Sequence, residues 1–344
     1  VARVTVFGAG AMGTAMAIHL SRAGNDTVLW ASEFDARVLP LLNDERRHPA
    51  LAEHLPDALK VMGPEQLAAA AEGVDVAVMG AHSGGARTLS KVVMEEGTHL
   101  PIVVGIAKGL EPVTGKRMSE VYTEEVGHDR VVSMGGPALA PEVAEGLPTA
   151  AVMASSDDAA AVAEEAAAVF RSTRFHVAVT DDVIGVEYCT VAKNVGAIGM
   201  GIMDGLAKVA QSEYRNAKAA LFAQAVHELT QLVVALGGRQ ETAFGLAGLG
   251  DTLVTSLGGR NRLYGELLGE GGEPERTLAG LVERGMTVEG VESARDVHRL
   301  MNEQRLDLVF HRQVHRILFE GEPAASLLDC LSMSAFDAGG VIHR

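Results

Sequence analysis

The chain has 344 residues, with 47% apolar and 22% charged, enough for two domains that each bury a core. With 45 acidic against 29 basic residues the net charge is −16, which disfavours nucleic acid and anionic membranes as partners. Aromatics at 4% give no base-stacking platform, and only seven of the basic residues are Lys, so a Lys in a suggestive context is informative.

Cys189 and Cys330 form neither a disulfide framework nor a metal-ligand spacing. The N-terminal residues run straight into a Gly-rich turn, unlike a signal peptide. No apolar run reaches the roughly 18 residues a spanning helix needs. The expectation is a cytoplasmic protein without membrane insertion.

Short β-rich runs alternate with helical stretches through the first half. Val4–Phe7 leads to a helix carrying Met16, Ile18 and Leu20, and Thr27–Trp30 follows the turn Gly24-Asn25-Asp26. Val74–Met79, Ile102–Ile106, Val131–Met134 and Ala150–Met153 continue the strand pattern, with helical stretches at Glu65–Glu72 and Asp157–Phe170. This alternation predicts a parallel sheet covered on both faces.

After Thr180 strand-like runs nearly vanish. Apolar residues recur at helical spacing in Val183–Met203, Ala217–Leu236, Glu275–Arg284, Ser293–Asn302 and Leu306–Phe319, with Gly237-Gly238 and Gly271-Gly272 as stops. The expected fold is α/β: an N-terminal doubly wound, Rossmann-type sheet over residues 1–182, then an all-α domain over 183–344.

Val4-Thr5-Val6-Phe7 runs into Gly8-Ala9-Gly10-Ala11-Met12-Gly13 and then a helix. Such a loop turns tightly at its first Gly and admits a pyrophosphate at its second. The third lets helix and strand approach, so helix amides face the phosphates. GxGxxG alone is common; between the first strand and first helix of a βαβ pattern it predicts a dinucleotide site. At the end of the second strand, Glu33 lies about 20 residues beyond the glycines and would repel a 2′-phosphate. Ser32 suits either cofactor and Arg37 lies close by, so NAD is expected with NADP possible.

Several stretches taken together resemble the NAD(P)-dependent glycerol-3-phosphate dehydrogenase family. They are Gly8–Gly13, Arg47-His48-Pro49, Ala107-Lys108-Gly109, and Gly136-Pro137 followed by Glu142-Val143-Ala144 and Pro148-Thr149. The strongest lie in the second half: Gly185-Val186-Glu187 leading to Lys193-Asn194-Val195, Gly245–Asp251, Gly259-Arg260-Asn261 and Val288-Glu289-Gly290. They occur in the family's order across nearly the whole chain, and their combination is specific.

The resemblance implies a Rossmann domain followed by a helical substrate domain with the active site between them, and reduction of dihydroxyacetone phosphate to sn-glycerol 3-phosphate. It implies Lys193 as general acid/base, Lys108 as a second active-site lysine touching both substrate and cofactor, and Asp251 as the acid that orients Lys193. Asn194, Thr255, Arg260 and Asn261 would hold the substrate, a guanidinium pairing with two phosphate oxygens. Ala140, Arg260 and Glu289 would reach the cofactor. A homodimer is also implied, and no metal is needed.

For each residue a plainer role stands beside this one. Lysines usually sit solvated at the surface, although the small and apolar neighbours of Lys193 suggest a buried helix. Asp251 would serve as an ordinary turn or cap residue, Arg260 as a surface arginine in a Gly-Gly loop, and Glu289 as a helix N-terminal acid. His48 receives no chemical role.

The family commonly has Ser-Gly-Pro, then a small hydroxyl residue and Phe, where this chain has Gly135-Gly136-Pro137-Ala138-Leu139. Near Gln224 relatives usually place an Arg. These departures keep open another small polyol or ketose phosphate as substrate. A 2-keto or 3-hydroxy acid, as in ketopantoate reductases, fits Arg260-Asn261 poorly. A non-catalytic nicotinamide-binding sensor would have lost a catalytic position, and here all remain.

Overall fold

The computed structural model describes residues 1–95, 98–156 and 160–333. By Cα proximity the chain forms two compact units, Val1–Glu187 and Tyr188–Arg344.

The first unit is built on one eight-stranded sheet in the order β3-β2-β1-β4-β5-β6-β7-β8. The strands are β1 (Arg3–Phe7), β2 (Asp26–Trp30), β3 (Lys60–Met62), β4 (Val76–Met79), β5 (Val103–Gly105), β6 (Val131–Gly135), β7 (Thr149–Ala154) and β8 (Phe175–Thr180). The helices are α1 (Ala11–Arg22), α2 (Leu39–Asp44), α3 (Leu67–Ala71), α4 (Ser83–Glu95), α5 (Met118–Val126), α6 (Ala140–Glu145) and α7 (Ala160–Phe170). Of the helix expected from Asp157, residues 157–159 lie outside the described residues.

Strand alternation sends side chains to two cores. Val4 and Val6 meet Met16, Ile18 and Leu20 of α1 on one face, with Ala163 and Phe170 of α7. Phe7, Val28 and Trp30 meet Leu67, Leu89 and Tyr122 of α3, α4 and α5 on the other. Helices on both faces of a mostly parallel sheet make this a doubly wound Rossmann-type fold.

Two sequence expectations change here. The sheet is not wholly parallel, because β6 and β7 pair antiparallel. Their connection carries only the six-residue helix α6, about 9 Å of rise, too short to return the chain to the far end of the sheet. Two edge strands also went unread. Lys60–Met62 has three residues and no fully buried side chain, and Phe175–Thr180 follows α7 after four residues with His176 and Ala178 exposed on its alternate row.

The second unit is helical. It takes most of α8 (Val183–Val209), then α9 (Arg215–Ala235), α10 (Gln240–Phe244), α11 (Asp251–Leu257), α12 (Arg260–Gly269), α13 (Pro274–Glu283), α14 (Glu289–Glu303), α15 (Val309–Phe319) and α16 (Cys330–Met333). By Cα proximity the first unit runs on into the first residues of α8, to Glu187. Residues 334–344 of the expected second domain lie outside the described residues.

Helices α8 and α12 touch backbone to backbone. A Cβ on Gly201 would lie 2.1 Å from the Arg262 carbonyl oxygen, and one on Gly265 2.0 Å from that of Ile198. Larger residues at either position would force the helices apart.

Candidate active site

In the first unit, β1 ends at Phe7 and the chain turns through Gly8 at a φ of 104°. A Cβ on Gly13 would stand 2.3 Å from the Gly8 carbonyl oxygen, so the helix presses on the turn. Beside Gly10 the nearest atom to such a Cβ is 3.9 Å away, leaving room for a ligand against the backbone. Gly10 caps α1 without a side-chain hydrogen bond, and the first turn holds no acid. The amides of Ala11, Met12 and Gly13 therefore meet an anion unopposed. The cradle of Gly8, Ala9, Gly10, Ala11, Met12 and Gly13 fits a dinucleotide pyrophosphate.

Ser32 and Glu33 stand just past β2. Ser32 is buried, whereas Glu33 opens a short 3₁₀ turn (Glu33–Asp35) and is exposed. Lys108 follows β5, and its ammonium donates to the Gly136 carbonyl at 3.3 Å. Gly136 takes a φ of 102° with the Ala151 Cα 3.2 Å from a would-be Cβ, so a side chain there would be strained and crowded. Ala140 is the first residue of α6 and packs against the core, as does Ala138. His48 is buried, its Nδ1 accepts the Ala50 N–H at 3.0 Å, and burial holds its pKa below the usual value.

In the second unit Lys193 is 5% exposed, on α8. Its ammonium lies 3.2 Å from Asp251 Oδ1 and donates to Thr255 Oγ1 at 3.0 Å. Thr255 in turn donates to Asp251 Oδ1 at 3.2 Å, across one turn of α11. A buried ammonium held by a carboxylate is what a lysine needs to stay in an apolar helix.

Asp251 is no open-turn residue, a correction to the turn reading of Gly245–Asp251. Leu246–Gly250 form a π-helical turn running directly into α11, and Asp251 is 1% exposed. Glycine permits this, because a Cβ on Gly248 would sit 1.9 Å from the Ala243 carbonyl oxygen.

A second set lies where α8 and α12 cross. Asn261 Nδ2 donates to Asn194 Oδ1 at 2.9 Å, and Asn261 Oδ1 accepts the Gly290 N–H at 2.9 Å. Asn194 Nδ2 donates to Ser293 Oγ at 3.3 Å and to the Thr190 carbonyl. Arg260 starts α12 after Gly259, so it sits on a helix and not in a loop. Half-exposed, it lies 3.9 Å from Glu289, itself the first residue of α14.

Sequence reading missed two buried clusters. Glu187, quoted only as part of a motif, accepts from Ser119 N at 2.7 Å, Ser119 Oγ at 2.7 Å and Ser133 Oγ at 2.8 Å, with Arg117 at 3.1 Å. Burial raises its pKa against the pull of Arg117. Gln224 donates to Glu228 at 2.6 Å, and Glu228 also accepts the backbone N–H groups of Phe310 and His311. Gln224 thus belongs to a network anchoring α15. Both clusters join residues far apart in the chain, and no local spacing announces them.

A glycine cradle of dinucleotide type in one unit and a buried lysine–carboxylate pair in the other mark a dinucleotide-dependent oxidoreductase. Comparison with known proteins narrows the class. Residues 3–161 match the NAD-dependent glycerol-3-phosphate dehydrogenase N-terminus, and residues 182–329 match its C-terminus. The chain is 34% identical over 323 residues to the NADP(+)-dependent glycerol-3-phosphate dehydrogenase of Archaeoglobus fulgidus, covering 92% of this chain and 95% of that one. It is 37% identical over 341 residues to the glycerol-3-phosphate dehydrogenase [NAD(P)+] of Chlorobium chlorochromatii, covering 96% and 97%. The crystal structure of glycerol-3-phosphate dehydrogenase from Coxiella burnetii superposes with a TM-score of 0.84 at 32% identity, over 96% and 98% of the two chains. The chain belongs to the NAD-dependent glycerol-3-phosphate dehydrogenase family. Its cofactor is of the NAD or NADP type. Among the described residues, no helix is long and apolar enough to cross a membrane, and no group of three or more His, Cys, Asp or Glu is placed to hold a metal.

Proposed function

We propose that the protein catalyses the reversible NAD(P)H-dependent reduction of dihydroxyacetone phosphate to sn-glycerol 3-phosphate. The observation that carries this reading is the buried Lys193–Asp251–Thr255 group in a chain of this family. Residues 1–182 act as the dinucleotide-binding domain and 183–344 as the substrate domain.

The cradle Gly8–Gly13 holds the pyrophosphate, Ser32 and Glu33 face the adenosine ribose, and Ala140, Arg260 and Glu289 complete the cofactor contacts. The nicotinamide supplies or takes the hydride at substrate C2. Lys193 gives a proton to the C2 oxygen in reduction and recovers it in oxidation, and its ammonium polarises the carbonyl beforehand. Asp251 and Thr255 hold that ammonium in place. Lys108, at the carboxyl edge of the sheet, adds positive potential near substrate and cofactor.

Arg260 and Asn261 bind the phosphate. The guanidinium is half-exposed and able to pair with two oxygens. Asn261 shares one amide hydrogen with Asn194 and has a second to offer. Asn194, expected in the substrate pocket, acts there by fixing Asn261, its own amide being fully engaged. The protein is read as a cytoplasmic homodimer; that Cys189 and Cys330 are not joined in a disulfide suits a reducing compartment.

The test is the rate of NADH and NADPH oxidation with dihydroxyacetone phosphate, beside dihydroxyacetone and other ketose phosphates. Strong turnover confined to dihydroxyacetone phosphate supports the reading. Turnover of a different phosphate would move the substrate, and equal use of dihydroxyacetone would remove the phosphate role of Arg260 and Asn261.

A further inference from the structure

The end of β2 carries more than the exposed acid Glu33. A cavity of about 390 Å³ opens there, lined by Trp30, Ser32, Glu33, Phe34, Glu65 and Glu95 among others. Its size suits a nucleoside. Trp30 is 1% exposed, and its indole N–H is buried with no partner. Phe34 beside it is 70% exposed, a bare ring available for stacking. In a Rossmann fold the ribose of the adenosine half binds at this strand end.

The polar groups here are already arranged for one kind of ribose. Asp35 Oδ2 accepts the Ser32 backbone N–H at 2.8 Å and the Ser32 hydroxyl at 2.7 Å. Those are donors that the strand end would otherwise offer to a 2′-phosphate, and a carboxylate of the same chain holds both. Glu33, Glu65 and Glu95 add three more acids to the wall, and among the described residues no Lys or Arg lines the cavity. Arg37 is exposed and is not among the lining residues. His48 interacts electrostatically with Asp35, yet burial lowers its pKa and its Nδ1 accepts a hydrogen bond from Ala50, so it brings no cation.

We propose that this chain is built for NAD(H) and rejects NADP(H), with Asp35 as the specificity-determining residue through its hold on Ser32, and Glu65 and Glu95 completing an anion-excluding wall. The inference rests on the dehydrogenase reading above and sharpens it. A ribose hydroxyl can donate to a carboxylate. A 2′-phosphate brings up to about two negative charges and meets acids with no donor in place. Like charges set face to face weaken binding on the order of 100-fold or more.

The experiment is fluorescence titration of the full chain with NADH and with NADPH, without substrate. The wild type is expected to bind NADH on the order of 100-fold more tightly. Asp35→Ala releases both Ser32 donors and removes a charge, so the NADPH to NADH ratio of dissociation constants should narrow about tenfold. Glu65→Gln with Glu95→Gln should narrow it without touching Ser32, and decides the matter if Asp35→Ala does not fold. Wild-type NADPH binding within about threefold of NADH would overturn the proposal. So would an unchanged ratio in a folded Asp35→Ala or in the double variant. Because binding is read without turnover, a chain that discriminates yet fails to reduce dihydroxyacetone phosphate would sink the proposed reaction and leave this inference standing.

Discussion

Asp251 and Glu228 are both acids of the second unit with essentially no exposed surface, yet their partners differ in kind. Asp251 meets an ammonium and a hydroxyl, those of Lys193 and Thr255. Glu228 meets the amide of Gln224, two backbone N–H groups in the first turn of α15, and the His311 ring at 2.9 Å. Backbone donors cannot move a proton to a substrate, so Glu228 closes a helix end whose amides would otherwise be orphaned. Burial of a charge therefore does not separate chemistry from scaffolding, since Asp251 holds a lysine ammonium and Glu228 a helix end.

The comparison breaks first at Lys193. Lys193→Ala should lower kcat by about 1,000-fold or more, about 4 kcal/mol of barrier, while NADH still binds. Removing the ammonium also strips Asp251 of a cation. Single-turnover kinetics on a folded variant that still reduces dihydroxyacetone phosphate at a near-native rate would return the Lys193–Asp251 pair to a purely structural role.

Glu228→Ala should do the opposite. It leaves the donors of Gln224, Phe310 and His311 unmatched in the interior, costing about 3 kcal/mol of stability. Turnover per folded molecule should stay close to wild type. Urea denaturation read beside kcat makes the separation, and a loss of kcat at unchanged stability would place Glu228 in the chemistry after all.

That division also explains what could be read from the chain alone. The glycine turn was legible because its constraints are local: strand, three glycines and helix follow one another within Val4–Leu20, and Gly8 and Gly13 each have a backbone cause. The burial of Lys193 was legible through its small and apolar neighbours. The clusters around Glu187 and Glu228 were not, because their partners come from β6, α5 and α15, brought together only by tertiary packing. Nor was the crossing of α8 and α12, although the spacing of Gly201 to Gly205 and Gly265 to Gly269 offered a signal of close helix approach. Asp35 escaped because its neighbour Glu33, at the expected offset from the glycines, gave a sufficient reason to stop. Only the structure shows which of the two acids holds Ser32.

The smallest expected effect extends the lesson to histidine, a residue that invites a catalytic reading wherever it is buried. His19 of α1 is 8% exposed, its Nε2 donates to the Phe170 carbonyl at 2.7 Å, and its ring lies 4.3 Å from that of Phe175. Burial pushes its pKa below the usual 6.5, assisted by Arg22 and opposed by the backbone hydrogen bond. The folded state thus binds its proton less readily than the unfolded chain does. The stability contributed by a neutral, buried ring is full above pH 6.5, and it is lost as pH falls below 6.5 through the folded value. His19→Gln keeps a donor near Phe170 without a titrating group, so urea midpoints measured from pH 8 to pH 5 should fall less steeply in the variant. His48, also buried and held low, titrates in both proteins and cancels in the difference. Parallel slopes would mean that His19 gains its proton as easily folded as unfolded, and that its surroundings are wetter than its 8% exposure implies.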